Sequence, residues 1–519
     1  MNTPTLSAIK WWPGALGKVG THAVLYAQLI IDGKEHGVNV FIMQIRDENH
    51  LPLQGVVLGD LGVKMGDNAN DTGFMSIDNV RIPRTHLLSK YHTVTNYGKY
   101  ETVLKADPQV HYTTMMSTRA MMVNTAGARL CQASTIAIRY SCVRKQGFKE
   151  SKAGITYLSD EYQIVDHKIQ QYRLFKQLAY AYAMKFNGVW MLDQLKVIEG
   201  GEWGAIKTTE GLKELAMASS GLKSLCSQLA IHGVEDLRKC CGGNGYLLNS
   251  GVAAMAADYL WQVTAEGDMI ILAMMTARFL HQTVDAAISG KKVDGVVSYL
   301  SVLSNKNFSL KTQQPLPATS STDFLNINYL ISLFRYRSLF RNYNVNRSVN
   351  NIMKEKNMNF QDAFSFYSNE ALRATYDHSY CLILSNFVLK VNECPNEKVK
   401  TVLTRLCILM GCSNLLDDNW GDILNSDQFR FIKTTVNTLL TEIRPDCIAL
   451  VDSFDIPDFV LKSTIGRYDG NVYEALFDAA QHSTLNRTEV FEGYNEVLKP
   501  HLNLELLKAG NHPLAKGKF

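Results

Sequence analysis

The feature that most constrains the fold of this chain is a long stretch without proline. The 519-residue sequence contains 12 prolines, yet none lies between Pro108 and Pro315. Proline disrupts helix interiors because it lacks the backbone donor and its ring clashes with the preceding turn. The pattern of apolar residues in this span predicts four long helices, Tyr112–Gln146, Tyr162–Ile198, Thr209–Cys240 and Glu266–Ser289. Four such helices with short connections indicate a bundle.

The first 107 residues show a different pattern, that of short strands. The segment Thr21–Ile31 is rich in branched and aromatic residues and ends at the turn signal Asp32-Gly33. Three more apolar runs follow, Val38–Ile45, Gly55–Leu61 and Gly73–Ile82. This spacing predicts a small antiparallel barrel or sandwich. Because its first segment begins at the chain start, we expect the domain to be partial, with further sequence upstream of Met1.

The resulting fold class is α+β and mostly α, with the strands first and the helices after them. We predict a partial antiparallel β barrel or sandwich at 1–107, a first helical-bundle domain at 108–304, a polar linker at 305–322, a second helical-bundle domain at 323–500 and a loosely held tail at 501–519. Pro315 and Pro317 mark the linker.

Charge and cysteine usage exclude several classes of function. Lys plus Arg is 53 and Asp plus Glu is 49, and this net charge of +4 gives no support for a nucleic-acid partner. The ten cysteines have no metal-ligand spacing, so we expect reduced thiols and no metal site. No apolar run reaches the ~18 residues of a membrane helix. The best candidate, Met269–Met275, soon meets Arg278, and we expect no membrane insertion.

The segment Thr264-Ala-Glu266-Gly-Asp268 precedes the most apolar of the predicted helices. A carboxylate at the mouth of an apolar segment is a candidate general base. The alternative is an acidic helix start that the helix dipole favours.

Two further motifs suggest contact with phosphate. Cys241-Gly-Gly-Asn-Gly-Tyr246 has clustered glycines whose backbone N–H groups can approach a ligand, although such a cluster also ends helices. Arg139-Tyr-Ser-Cys-Val-Arg144-Lys-Gln146 is a basic helix end, which suits phosphate or simply the negative end of the helix dipole.

Aromatic and acidic clusters complete the set of candidates. In Lys10-Trp-Trp-Pro-Gly14, two indole rings beside an accessible backbone could stack on a planar ring, or could be core tryptophans at a strand end. Asp417-Asp-Asn-Trp-Gly-Asp422 lacks the ligand alternation of a calcium loop, so we interpret it as a solvated loop.

Taken together, these motifs resemble those of the acyl-CoA oxidases, the FAD enzymes that begin peroxisomal fatty-acid β-oxidation. The resemblance covers nearly the whole chain. Its β portion includes Lys10-Trp-Trp-Pro-Gly14, Gly59-Asp-Leu-Gly62 and Arg81-Ile-Pro-Arg84. Its helical portion includes the Arg139, Cys241 and Thr264 motifs above, and Gly466-Arg-Tyr-Asp-Gly-Asn-Val-Tyr-Glu474 is highly specific to these oxidases.

The resemblance implies a role for each matching residue. Glu266 matches the base that removes the α-proton of the acyl thioester, and its backbone N–H would hold the thioester carbonyl. Gly14, together with its neighbour Trp12, matches a flavin contact. Arg144, Gly242 and Gly243 match positions that reach FAD across a homodimer interface, and Gln170 or Gln171 belongs to the same set.

The implied activity is oxidation of fatty acyl-CoA to trans-2-enoyl-CoA, with O2 as acceptor and H2O2 as product. Two alternatives remain open: a dehydrogenase-like enzyme that uses a protein acceptor, and an inactive structural relative. The family implies a peroxisomal location, although the chain ends in Ala515-Lys-Gly-Lys-Phe519 without a Ser-Lys-Leu type signal. The family also begins with a helical domain that has no counterpart after Met1, so we expect weak FAD binding by this chain alone.

Overall fold

A computed structural model describes residues 1–104, 113–149, 160–200 and 211–502 of the chain. The strands are β1 Lys10–Gly14, β2 His22–Ile31, β3 Lys34–Gln44, β4 Val56–Asp60, β5 Thr72–Ile77, β6 His92–Val94, β7 Tyr100–Thr102, β8 Lys145–Phe148 and β9 Glu161–Gln163. The helices are α1 Thr113–Val143, α2 Lys168–Glu199, α3 Leu212–Cys240, α4 Val252–Tyr259, α5 Met269–Ile288, α6 Leu310–Gln313, α7 Ile327–Glu355, α8 Phe360–Phe366, α9 Ser368–Glu393, α10 Glu397–Asp417, α11 Ser426–Ile443, α12 Cys447–Asp452, α13 Asp458–Leu461, α14 Val472–Gln481 and α15 Lys499–His501. The predicted boundary at 107–108 and nearly all of the predicted tail lie outside the described residues.

Strand β6 pairs antiparallel with β7, and strands β1 to β5 form two further small antiparallel sheets, one in the order β1-β5-β4 and the other β2-β3. One apolar core joins them, since Leu25 and Met43 of the second sheet belong to the same buried cluster as Val56 and Met75 of the first. This confirms the predicted antiparallel pattern, in a sandwich-like arrangement. A loop of this region contacts the helices, because the Asp67 N–H donates to the Asp258 carboxylate, 2.8 Å away.

The long helices form where the absence of proline predicts them, with corrections at their ends. The first ends at Val143 rather than Gln146, because Lys145–Phe148 instead pairs with Glu161–Gln163 as a β-ribbon. The second begins at Lys168 rather than Tyr162 for the same reason. Helices α1, α2 and α3 pack against one another through residues that are almost fully buried, including Leu130, Phe175 and Val234.

The core of α1–α4 continues without a break into the helices after residue 323. One buried cluster includes Leu174 of α2, Leu384 of α9 and Leu409 of α10. A polar contact crosses the same surface, because the buried Asn386 side chain donates to the Asn187 side chain at 2.8 Å. Buried amides that satisfy each other cost little and fix the register of the two helices.

The prediction that no segment is long and apolar enough for a membrane helix is wrong. Among the described residues, helix Glu397–Asp417 is long and apolar enough to cross a membrane by length and composition. Lys400 and Arg405 interrupt its apolar residues, so the sequence shows no unbroken apolar run of this length. About 61% of the most apolar window is buried within the protein, so packing against the neighbouring helices accounts for its composition.

The acidic segment Asp417–Asp422 is also more structured than the predicted solvated loop. Asp417 accepts hydrogen bonds from Tyr172 and Lys176, and Asp418 accepts one from the buried Arg337. Trp420 is 1% exposed and packs against the Arg337 guanidinium, 4.1 Å from its ring centroid. The Asp417 and Asp418 carboxylates are therefore partners of cations in neighbouring helices.

Candidate active site

Glu266 lies in a turn before helix α5 rather than in its first turn, which corrects the predicted helix Glu266–Ser289. The helix begins at Met269 because the Asp268 side chain caps it, accepting hydrogen bonds from the backbone N–H groups of Ile270 and Ile271. Asp268 therefore performs the helix-start role that was the alternative interpretation for Glu266. Glu266 is exposed, and its role in the helix start is excluded.

The backbone at this turn has an unusual conformation. Glu266 has φ = +56° and Gly267 has φ = +102°. The left-handed region costs a side-chain-bearing residue roughly 1–2 kcal/mol. A side chain at position 267 would also meet Leu272 at 2.8 Å, so glycine is required there. Among the described residues, none accepts a hydrogen bond from the Glu266 backbone N–H, which leaves this N–H available to a ligand.

Two cations that the sequence analysis missed lie around this turn. Lys223 of α3 is completely buried, and its ammonium donates to the carbonyl oxygens of Ala265 and Gly267, each 2.7 Å away. Arg119 of α1 donates to the Ser220 hydroxyl at 3.1 Å. Burial lowers the pKa of Arg119, while the Glu266 carboxylate opposes that shift. Lysine and arginine in a helix usually indicate an exposed face, so no pattern in the sequence identifies them.

A second group of predicted residues meets at the opposite end of the same helices. Gln170 donates to the Cys240 carbonyl at 2.8 Å and to the Ser141 hydroxyl at 3.3 Å. Asn244 donates to the Tyr140 hydroxyl at 3.0 Å. These contacts bring the end of α1, the start of α2 and the glycine segment after α3 together.

Within this second group, the predicted residues differ in accessibility. An added Cβ at Gly242 or Gly243 would meet nothing within 4 Å, so their backbone is open to a ligand. The Arg144 guanidinium donates a hydrogen bond to the Gln146 side chain at 3.0 Å. A second hydrogen bond, with Tyr473, holds the pKa of Arg144 above its usual value. Gln171 is buried and accepts from Lys168, which leaves Gln170 as the better placed of the two glutamines.

The segment 466–474, which carries part of the family resemblance, lies against this end of α1. Arg139 donates to the Gly466 carbonyl at 2.9 Å, and Tyr473 of the same segment is the partner of Arg144. Arg139, from the motif that the sequence connected with phosphate, is 7% exposed and forms ion pairs with Asp452 and Asp458. Arg139 is therefore a structural residue, whereas Arg144 is accessible.

The two tryptophans of β1 are not core residues, which excludes that alternative. Trp11 is 54% exposed and Trp12 is 61% exposed. Trp12 has φ = +83°, and the pairing of β1 with β5 is irregular between Trp11 and Gly14. Such bulges redirect side chains next to functional sites. An added Cβ at Gly14 would meet nothing within 4 Å.

These features fit a flavin dinucleotide. An exposed indole next to an open glycine backbone can contact a planar ring, and a guanidinium beside open glycine N–H groups can contact a diphosphate. Within the described ranges, no group of three or more His, Cys, Asp and Glu residues could hold a metal ion.

Comparison with known proteins identifies the family. The family description "Acyl-CoA oxidase, C-alpha1 domain" matches residues 112–281, and "Acyl-CoA oxidase" matches residues 326–503. Peroxisomal acyl-coenzyme A oxidase 1 of Homo sapiens is 38% identical over 505 residues, a match that covers 96% of this chain and 74% of that protein.

Solved structures agree with the sequence matches. Arabidopsis thaliana acyl-CoA oxidase 1 superimposes with a TM-score of 0.88 at 37% identity, covering 97% of this chain and 75% of that one. Acyl-CoA oxidase-2 of Caenorhabditis elegans, bound with FAD, ascaroside-CoA and ATP, gives a TM-score of 0.86 at 32% identity, covering 98% and 73%. The chain belongs to the acyl-CoA oxidase family.

Proposed function

We propose that this chain oxidises fatty acyl-CoA to trans-2-enoyl-CoA in peroxisomal β-oxidation, with FAD as cofactor, O2 as acceptor and Glu266 as the base. The observation that carries the proposal is the geometry of Glu266. Its carboxylate and its free backbone N–H both stand on a left-handed glycine turn at the mouth of the apolar helix α5.

The first step is removal of the α-proton. The α-proton of a thioester is weakly acidic, so its removal at neutral pH needs a positioned base. Among the described residues, none donates a hydrogen bond to the Glu266 carboxylate. The carboxylate is therefore free to accept the proton, while Asp268 is occupied as the helix cap.

Negative charge then develops on the thioester oxygen. A preorganised N–H donor aimed at that oxygen stabilises the charge without reorganising during the reaction. We assign this role to the Glu266 backbone N–H, because its peptide is fixed in an uncommon conformation and has no acceptor among the described residues. One residue thus supplies both the base and a carbonyl-holding donor.

When bound, FAD would supply an acceptor for the hydride of the β-carbon and a route for the two electrons to O2, which would give H2O2. On this chain, Trp12 and Gly14 would contact its ring system. Arg144, Gly242 and Gly243 would contact the remainder of a second FAD, bound to a partner subunit. The family's peroxisomal names support a peroxisomal location.

The distances along the helices support a site that is shared with a partner subunit. Arg119, beside Glu266, and Arg144 are separated by most of α1, which at 1.5 Å per residue is about 35 Å. Lys223 and Gly242 are separated by about 28 Å along and just beyond α3. A single dinucleotide that contacted both groups would have to span about 28 Å or more, so we assign the two groups to different cofactors. A twofold homodimer would complete both sites.

The test uses the FAD-loaded enzyme and its natural reaction. Flavin bleaching by acyl-CoA under anaerobic conditions measures the chemical step, and peroxide release in air identifies O2 as acceptor. We expect Glu266→Gln to slow bleaching by about 10²–10⁴-fold, the usual effect of removing a general base. Asp268→Asn is the matched control because asparagine caps helices as well as aspartate does.

Three outcomes would contradict the proposal. Bleaching of Glu266→Gln at the wild-type rate, or inactivity of Asp268→Asn alone, would remove Glu266 from the mechanism. Bleaching without peroxide release would favour a protein acceptor.

A further inference from the structure

Lys223 is a charged residue with no exposure at all, in the middle of α3. Its ammonium donates to the carbonyl oxygens of Ala265 and Gly267 at 2.7 Å, and the Val263 carbonyl lies at 3.4 Å. An ammonium group has three donors and no acceptor, which matches three carbonyl oxygens. These carbonyls belong to the turn that carries Glu266.

The bond to Ala265 controls a group in the proposed mechanism. The Ala265 carbonyl and the Glu266 N–H belong to one planar trans peptide, in which they point in opposite directions. An ammonium that holds the carbonyl therefore also sets the direction of the N–H. Hydrogen bonding at the carbonyl further polarises the peptide, which strengthens its N–H as a donor.

The bond to Gly267 holds the other side of the same turn. Residues in uncommon backbone conformations persist only where their surroundings fix them. Glu266 is such a residue, and Lys223 holds a carbonyl on each side of it. The Ser224 hydroxyl adds a further anchor by donating to the Met269 carbonyl at 2.7 Å.

We propose that Lys223 is a positioning residue for the reaction, acting through the Ala265 and Gly267 carbonyls to hold the Glu266 carboxylate and N–H in their reactive arrangement. This inference rests on the proposed function, since it takes Glu266 as the base.

The charged form of Lys223 is the form that positions the turn. Burial lowers the pKa of Lys223 to about 8, an effect that Arg119 increases and that Asp268 and Glu266 oppose. Helix α9 contributes Tyr376, whose hydroxyl lies 3.3 Å from that of Ser224. Since a neutral amine has only two N–H donors, we expect the positioning to weaken as pH rises past about 8.

The experiment measures proton abstraction without oxidation. In 3,3-dimethylbutanoyl-CoA the α-carbon carries hydrogens and the β-carbon carries none, so the thioester can exchange its α-protons with D2O but cannot lose a hydride. Mass spectrometry of the recovered thioester gives the exchange rate. We expect Lys223→Met to lower this rate by about 10–100-fold, the effect of misplacing a catalytic group by about 1 Å.

A pH profile separates positioning from mere folding. The wild-type exchange rate should fall above pH about 8, and Lys223→Met should lack that decrease. Lys223→Arg keeps the charge at every pH used, because arginine is not deprotonated in proteins. Lys223→Arg should therefore retain part of the exchange at pH 7 and should lack the decrease in exchange rate at higher pH. This variant replaces Lys223→Met in the test if the methionine variant does not fold.

Lys213→Met is the matched control, since Lys213 is an exposed lysine of the same helix that contacts Gln282 instead of the turn. It should exchange as the wild type does. Wild-type exchange by Glu266→Gln would overturn the proposed function. Two results would overturn the positioning role alone. In the first, Glu266→Gln is inactive while Lys223→Met exchanges at the wild-type rate. In the second, the exchange rate of Lys223→Arg still decreases above pH 8.

Discussion

Arg139, near the end of α1, donates two hydrogen bonds to the same carboxylate oxygen of Asp452, from Nε at 3.0 Å and from Nη2 at 2.7 Å. The two residues are 313 positions apart in the chain. The contact joins the helix that ends next to Arg144 to the residues that lead into the segment 466–474. It therefore stabilises the surface that we assign to the partner's cofactor.

Removing this arginine should destabilise the protein. Breaking a buried ion pair leaves an unpaired buried charge and costs about 3–5 kcal/mol. Because the Asp452 side chain is 27% exposed, we expect a loss of about 2–4 kcal/mol for Arg139→Met, measured by urea unfolding. Arg467→Met removes the exposed ion pair with Asp469 nearby and should cost no more than about 1 kcal/mol. Equal losses of stability in the two variants would show that the buried ion pair contributes no more than the exposed one.

Gly267→Ala should damage the turn that carries Glu266. Its φ of +102° and the approach of Leu272 both oppose a side chain. Gly290→Ala is the control, because Gly290 follows α5 with φ = +82° and has nothing within 4 Å of an added Cβ. Both variants should lose about 1–2 kcal/mol from backbone strain. Only Gly267→Ala should also slow flavin bleaching, and normal bleaching by this variant would show that the turn tolerates distortion.

Two inactive variants should restore each other if sites are shared between subunits. Glu266→Gln and Arg144→Ala damage different sites of the same chain in our proposal. A mixed dimer of the two then contains one site with both defects and one site with neither. Random assembly should give about a quarter of wild-type activity, since half of the dimers carry one intact site of two. If mixed dimers recover no activity, Glu266 and Arg144 of one chain serve the same site, which contradicts the proposal.

Stability should depend on pH through Lys223. The pKa of Lys223 in the folded protein, about 8, lies below its ordinary value of 10.5. Between these two pH values the unfolded chain binds a proton that the folded protein does not bind, so the free energy of unfolding rises with pH. Urea unfolding between pH 7.5 and pH 10 should show this rise for wild type and a smaller one for Lys223→Met. The stabilisation that the neutral Lys223 provides at high pH is lost as the pH falls through 8. Parallel curves of unfolding free energy against pH for wild type and Lys223→Met would contradict the lowered pKa.

The sequence predicts the elements of this fold better than their ends. The absence of proline and the apolar periodicity identify α1, α2 and α3, because these signals are local. The start of α5 was misplaced, since the Asp268 cap and the turn at Gly267 decide it and an acidic residue at 266 resembles a helix start. In the second group, the chemistry of their residue types singled out the glycine cluster and the helix end with Arg144, whereas Gln170 and Gln171 came only from the family resemblance.

The cations of the site were not predictable for a physical reason. Lys223 finds its carbonyl partners more than 40 positions later, and Arg119 finds the Ser220 hydroxyl 101 positions later. Neither spacing corresponds to a local period. A lysine beside serines in a helix is usually exposed, and only tertiary packing makes this one a buried ligand of backbone carbonyls.

The core that runs without a break from α2 to α9 has a consequence for synthesis of the protein. The Asn187 side chain can form its hydrogen bond with Asn386 only after Asn386 has left the ribosome, 199 residues later. At about 5–20 residues per second, that delay is about 10–40 s. During this time the face of α2 that packs against α9 and α10 lacks these two partners, and such exposed surface is prone to aggregate. The nascent chain therefore needs chaperones most in the interval before α9 and α10 emerge.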